Sequence, residues 1–246
     1  MRFMVMHKND KHTEAGEKPG PELMARMGEY IGEHVQKGQF IDGAGLGPSS
    51  TRTRLTFRGG VSQIQHGPYS GVHELVSAIL LIEVRSREEA IGWAERYGKI
   101  LGDGEIELGP LTEPWDLGIM PKPDAAPLRL LLLHKADRAS EAGQGLSARQ
   151  KGDLTKLKNE MTRAGVLKST TGLAPSSKSK RLRYVNNVRQ IIDGPFSESK
   201  ELIGGYALLE LPSMDAAIAE CTRYVEILGG TLEIDLRPLA APEEEG

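Results

Sequence analysis

The side chains best placed for chemistry are Asp193, inside QIIDGPFSESKE (residues 190–201), and His134, at the end of LRLLLLH. A carboxylate and an imidazole that converge on a bound molecule can exchange protons with it, the requirement for general acid–base work. Asp193 shares a strand face with Ile191, so its carboxylate can act as a base if a substrate reaches it. Alternatively, the Asp-Gly-Pro step is a turn and the carboxylate accepts backbone N–H groups. Glu198 and Lys200, just beyond, either contact an ionic ligand or form a solvated charge cluster. His7 ends the similar run MRFMVMH. Each histidine shares a strand face with the residues two and four before it, Leu132 and Leu130 or Val5 and Phe3, which places it near the rim of a cleft at the strand's end. A neutral histidine bonded into the core is the competing reading. Asp137 and Asp10 follow three residues later, but no third ligand stands at metal-site spacing, so no metal is expected. Phosphate loops, dinucleotide fingerprints and nucleophile elbows are absent from the sequence, and no cofactor is expected.

The elements that must position these groups occur twice. Asp193 and His66 are 127 apart (193 − 66), and the same offset joins His134 to His7, Gly165 to Gly38 and GLAPSS (172–177) to GLGPSS (45–50). One inserted residue then shifts the offset to 128, pairing Pro238 with Pro110. The chain is a tandem duplication, with copies at 1–111 and 128–240. The intervening TEPWDLGIMPKPDAAP carries four prolines and reads as a semi-extended linker.

Each copy spells strand, helix, hairpin, strand, helix, strand. Ser147 with Gln150 forms a capping box, Pro21 suits a first helical turn, and Gly38 and Gly165 stand where helices end. GG (59–60) and NN (186–187) supply the positive φ of tight hairpin turns. The order predicts α+β: two ferredoxin-like domains. Two helices cover only one sheet face, yet the first strand is apolar at both parities, Leu130 and Leu132 against Leu131 and Leu133. The uncovered face needs an apolar partner, and the other copy supplies it, as an internal pseudo-dimer.

With these residues in view, the chain resembles the DGPF or YCII-related family, whose single domains form dimeric α+β barrels. The family motif runs roughly D-G-P-F-x-E-x-K-E and then a glycine–aromatic pair. The second copy matches at Asp193, Gly194, Pro195, Phe196, Glu198, Lys200, Glu201, Gly205 and Tyr206, and its ending resembles the family's E-x-R-P at Asp235 and Arg237. The first copy has His66, Tyr69, Gly71, His73 and Gly109 in the corresponding places. The resemblance implies a small-molecule binding or regulatory module, some relatives being associated with sigma-factor regulation; a few are lyase-like, with a histidine–aspartate dyad. That histidine lies on the first helix, where this chain offers Glu29 or Tyr30 and Lys156 or Leu157. Whether the chain is an enzyme stays open, the alternative being a cofactor-free lyase or isomerase built on Asp193 and His134. The expected site is one main cleft in the second copy, formed by Asp193, Lys200, Glu198, Arg237 and Tyr206, with His134 at its rim and His7 and His66 as secondary contacts.

Bulk properties set the remaining expectations. A net charge of −3 lacks the basic field of a nucleic-acid binder. No apolar run reaches the roughly 20 residues of a membrane span, and the N-terminus turns polar too early for a signal peptide. The single cysteine, Cys221, fits a reducing cytoplasm and reads as a buried thiol. The expected partner is an unidentified small molecule, with a further homodimer possible beyond the internal one.

Overall fold

The structure, a computed structural model, describes residues 1–185, 188–196 and 199–240. The first copy comprises β1 (Arg2–Lys8), α1 (Lys11–Glu14), α2 (Pro21–Gln36), β2 (Phe40–Gly45), β3 (Thr53–Arg58), β4 (Val61–His66), β5 (Val76–Val84), α3 (Arg87–Leu101) and β6 (Gly104–Pro110). The second comprises β7 (Leu128–Lys135), α4 (Arg138–Glu141), α5 (Ala148–Arg163), β8 (Leu167–Gly172), β9 (Lys180–Val185), β10 (Val188–Asp193), β11 (Ile203–Glu210), α6 (Met214–Leu228) and β12 (Leu232–Pro238).

Local chemistry sets the helix ends as the sequence predicts. Ser147 accepts from the Gln150 amide while the Gln150 side chain accepts from the Ser147 amide, and Ser86 caps α3 through the Glu89 amide. Pro21 opens α2, and Gly38 and Gly165, at φ 65° and 73°, follow the caps of α2 and α5. Gly59 and Gly60 both have positive φ at the first hairpin turn; the NN turn lies outside the described residues. One strand per copy was not foreseen: β2 and β8, spelled FIDGAG and LKSTTG, lack any apolar alternation and are sheet edges.

The twelve strands form two antiparallel six-stranded sheets, ordered β10-β9-β12-β1-β11-β2 and β4-β3-β6-β7-β5-β8. Each sheet is composite. The first-copy strand β1 lies between β11 and β12, with Met6 opposite Tyr206 and Asp235, and β7 lies reciprocally between β5 and β6. A strand–helix–strand half from one copy thus completes the remainder of the other. Helices α2 and α6 cover the first sheet over a core that includes Phe3, Val5, Leu182, Cys221 and Leu236; α3 and α5 cover the second over Leu80, Tyr97, Leu132, Leu157 and Met161. The opposite faces meet through Met4, Met6, Ile203 and Tyr206 against Val76, Ile79, Leu131 and Leu133. Single bridges, Leu46 to Leu111 and Leu173 to Leu239, join the sheets at their sides. The doubly apolar first strand is therefore buried on both faces, each fully buried side chain contributing about 1.5–3 kcal/mol. No helix among the described residues is long and apolar enough to cross a membrane.

Candidate functional site

The motif turns do structural work first. Gly67-Pro68 and Gly194-Pro195 are cis, and a Cβ on Gly67 or Gly194 would fall 1.7 Å from the carbonyl oxygen of Ser49 or Ser176. Only glycine permits that approach. The turn then docks its aromatic residue: the amides of Tyr69 and Phe196 donate to the hydroxyls of Ser49 and Ser176 at 3.3 and 3.1 Å. Each ring lies under a guanidinium, Tyr69 below Arg54 at 4.2 Å and Phe196 below Arg181 at 4.3 Å.

These arginines belong to two related ionic networks on the inward faces of the sheets. In the first, Glu107 accepts from Arg52 Nη1 through Oε1 at 2.9 Å, and its Oε2 pairs with Arg54 at 3.2 Å and Lys135 at 3.3 Å. Glu74 pairs with Arg54 at 2.9 Å and with Lys135, and Glu105 with Arg54 at 3.1 Å. Burial alone would raise the Glu107 carboxyl, but Lys135 and Arg52 hold it down at about 2. Arg52 completes its bonds by donating Nε to Gly47 O and Nη2 to Ile203 O, both at 2.8 Å.

The second network repeats the first with altered parts. Asp235, counterpart of Glu107, pairs with Arg181 at 2.6 Å and Lys8 at 2.9 Å; Arg181 also meets Glu233 at 3.3 Å. Arg52 has Ser179 as its counterpart, and Gly109 has Arg237. Arg237 donates Nη2 to Ala174 O at 2.5 Å, and Ala174 is the counterpart of Gly47. The guanidinium thus reaches the equivalent carbonyl in both copies, from β12 in one and from the residue before β3 in the other. Glu74 is buried, whereas its counterpart Glu201 is exposed.

A separate cleft of ≈ 330 Å³ opens between the sheets where edge strands β2 and β8 approach. Met4, Ile79, Leu81 and Leu208 make it apolar; Asp42, Lys168 and Tyr206 supply the polar groups. Its walls pair repeat counterparts, Asp42 with Ser169, Ile79 with Tyr206 and Leu81 with Leu208, so the cleft straddles the axis relating the copies. Tyr206 donates to Asp42 Oδ2 at 2.7 Å, and burial, then that carboxylate, pushes the phenol upward.

Comparison with known proteins places this geometry. The model of the YCII-related domain matches residues 1–107. An uncharacterised protein of Rhizobium meliloti (strain 1021), R00369, is 30% identical over 88 residues, which span 36% of this chain and 71% of that protein. The chain belongs to the YCII-related family. No solved structure matches it.

In this YCII-related chain the expected site residues do not converge on one point. Tyr206 lines the cleft, and Arg237 lies in the second ionic network. Asp193 ends edge strand β10 and pairs with Lys180 at 2.6 Å, its side chain 75% exposed. His66, its counterpart, is exposed and shares a 3.1 Å hydrogen bond with Thr53. Lys200 is exposed, and its carbonyl abuts Gly71 of the other motif turn; Glu198 lies outside the described residues.

His7 and His134 require a correction. Their strand face is the helix-covered one, not the inter-sheet face, because Phe3 and Val5, or Leu130 and Leu132, pack under helices. His134 bonds Ser77 at 3.1 Å beside the Tyr97 edge, and His7 bonds Tyr224 at 3.0 Å. Tyr97 and Tyr224 are repeat counterparts, so the arrangement is made twice. Burial lowers both imidazoles to about 4, neutral throughout the physiological range. The inward parity belongs instead to Lys8 and Lys135, one residue on. Arg181, on the hairpin strand β9, is also buried, at 6% exposed. His34 is fully buried on α2, bonded to Tyr30 O at 2.8 Å and 3.1 Å from Glu220. Cys221 is buried, its thiol pushed up to about 12 by desolvation.

Proposed function

We propose that the protein is a small-molecule-binding module whose ligand enters the cleft between the sheets. The observation that carries this reading is the pairing of an apolar lining with a few polar groups, the composition of small-molecule sites generally. Met4, Leu81 and Leu208 would enclose an apolar body, while Tyr206, Asp42 and Lys168 would orient its polar end. Catalysis by an Asp193–His134 pair draws no support from the placement of these groups, one on an edge strand of the first sheet and the other under the helices of the second.

A screen of small hydroxylated and carboxylated aromatic compounds by ligand-observed NMR tests the reading. Hits are expected to compete with one another and to vanish in Leu208→Trp, where the larger side chain fills the cleft. Hits that persist unchanged in a folded Leu208→Trp protein would refute it.

A further inference from the structure

Arg237 is 1% exposed, yet among the described residues its Nε and Nη1 have no hydrogen-bond partner. Nε carries one N–H and Nη1 two, so three of the five guanidinium donors lack an acceptor. The remaining nitrogen, Nη2, donates to Ala174 O and, at 3.3 Å, to Glu141 Oε1. A buried charged donor without acceptors is strongly unfavourable, and such groups in native proteins call for an explanation.

The first copy shows what satisfies the same guanidinium position. There Glu107 is long enough to bond Arg52 with one oxygen and Arg54 and Lys135 with the other. Asp235 is one methylene shorter, and its bonds go to Arg181 and Lys8. The additional carboxylate of the first network, Glu74, is buried between Arg54 and Lys135, while Glu201 is exposed. The second network keeps the cations Lys8, Arg181 and Arg237, but among the described residues none of its carboxylates reaches Nε or Nη1 of Arg237.

We propose that Arg237 is the anchor of an oxyanion-binding site, where a carboxylate or phosphate group of a ligand accepts from Nε and Nη1. The site differs from the cleft at Tyr206 in every residue and stands independently of it. Glu141, carried on the four-residue α4, is the more exposed partner of the pair at 20% against 1% for Arg237, so the proposed entry is past it. Glu141 also accepts from the Ser176 amide and hydroxyl, so it stays anchored when its long contact with Arg237 yields.

The test is thermal unfolding of the full chain in Tris chloride, with inorganic phosphate or sodium acetate titrated separately at matched ionic strength. One of the two is expected to raise Tm saturably, by about 3–5 °C once its concentration exceeds Kd tenfold, and the arm that does so distinguishes phosphate from carboxylate recognition. Phosphate also stabilises proteins generally, so the decisive quantity is the difference from Arg237→Met at the same concentration. That variant is expected to lose the saturable response while equalling or exceeding the wild-type Tm without anion, since it removes a buried charge with three unmet donors. Arg52→Met, which removes a guanidinium whose three nitrogens are all bonded, keeps the response. Should Arg237→Met fail to fold, the arginine Nε–H resonances of the wild type supply the readout, and a single buried resonance is expected to move on titration. No saturable shift with either anion, or a response retained in Arg237→Met, would overturn the proposal.

Discussion

The two ionic networks occupy equivalent places, yet they are built differently. The first closes on itself: Arg52, Arg54 and Lys135 face Glu74, Glu105 and Glu107, with every Arg52 nitrogen bonded. The second moves its guanidinium to Arg237, shortens the central acid to Asp235 and exposes Glu201. Duplication supplies the reason such drift is tolerated. The sheets and their cores are held by both copies jointly, so one network can remain a fastener while the other is freed for a ligand. The polarity is the reverse of what the intact motif suggests at first sight. The copy with the degenerate motif has the fully bonded guanidinium, because Arg52 replaces the arginine missing at Gly109.

The sharpest way to break this comparison is to remove the acid that only one network buries. Glu74→Gln leaves Arg54 and Lys135 with an uncompensated charge and is expected to cost about 3–5 kcal/mol. Glu201→Gln, at an exposed position, should stay within about 0.5 kcal/mol. Chemical denaturation of both variants checks the pair, and equal losses would mean that the networks are closed alike.

Where the copies agree, the effect should appear twice. His7 and His134 are both held neutral, with folded values of about 4 against 6.5 for a free imidazole. A depressed folded value means the unfolded chain binds protons first as pH falls. Stability is therefore complete above pH 6.5 and is lost progressively towards pH 4, by up to about 3 kcal/mol for each histidine. The unfolding free energy followed across that window should flatten by similar amounts in His7→Gln and His134→Gln. Flattening by one variant alone would show that the two tyrosine-backed sites are not equivalent.

A smaller effect tests the exchange of arginine positions. A Cβ on Gly109 meets Leu46 at 3.5 Å and Arg52 Cδ at 3.8 Å, ordinary contact, so the backbone tolerates a side chain there. Gly109→Arg nevertheless puts two guanidiniums at one carbonyl. Combining it with Arg52→Ser reproduces the second copy's solution and should recover about 1–3 kcal/mol relative to the sum of the single changes. Simple additivity in the double-mutant cycle would show that the two positions do not serve one role.

Much of the fold is legible in the residues. The constant offset reveals the copies, and the two apolar parities of the first strand require a second sheet. The strand exchange is not legible, because copies with like patterns satisfy the same parities whichever half completes which sheet. FIDGAG and LKSTTG hide their strands for lack of a sustained apolar alternation. The ionic networks escape for a related reason: Lys8, Lys135 and Arg181 read as surface charges until their partners on other strands are in place. Arg52 with Gly109, and Ser179 with Arg237, appear in sequence as two unrelated mismatches, and only the shared carbonyl joins them.

The smallest expected effect concerns the motif aspartate. Asp193 faces solvent and pairs with Lys180, while His66 faces solvent and bonds Thr53. An exposed ion pair contributes about 0–1 kcal/mol, so neither Asp193→Asn nor His66→Asn should move the folding free energy by more than that. Ligand binding separates the possibilities more finely than stability does. If Asp193 belongs to the oxyanion site, its negative charge opposes the ligand, and Asp193→Asn should tighten phosphate or acetate binding slightly, with the change fading as salt rises. If it serves instead as a base or as a hydrogen-bond acceptor for a ligand in the second copy, the same variant weakens binding while His66→Asn leaves it unchanged. Titration calorimetry of both variants at low and high salt decides between these, and a salt-independent loss confined to Asp193→Asn would return the aspartate to the site.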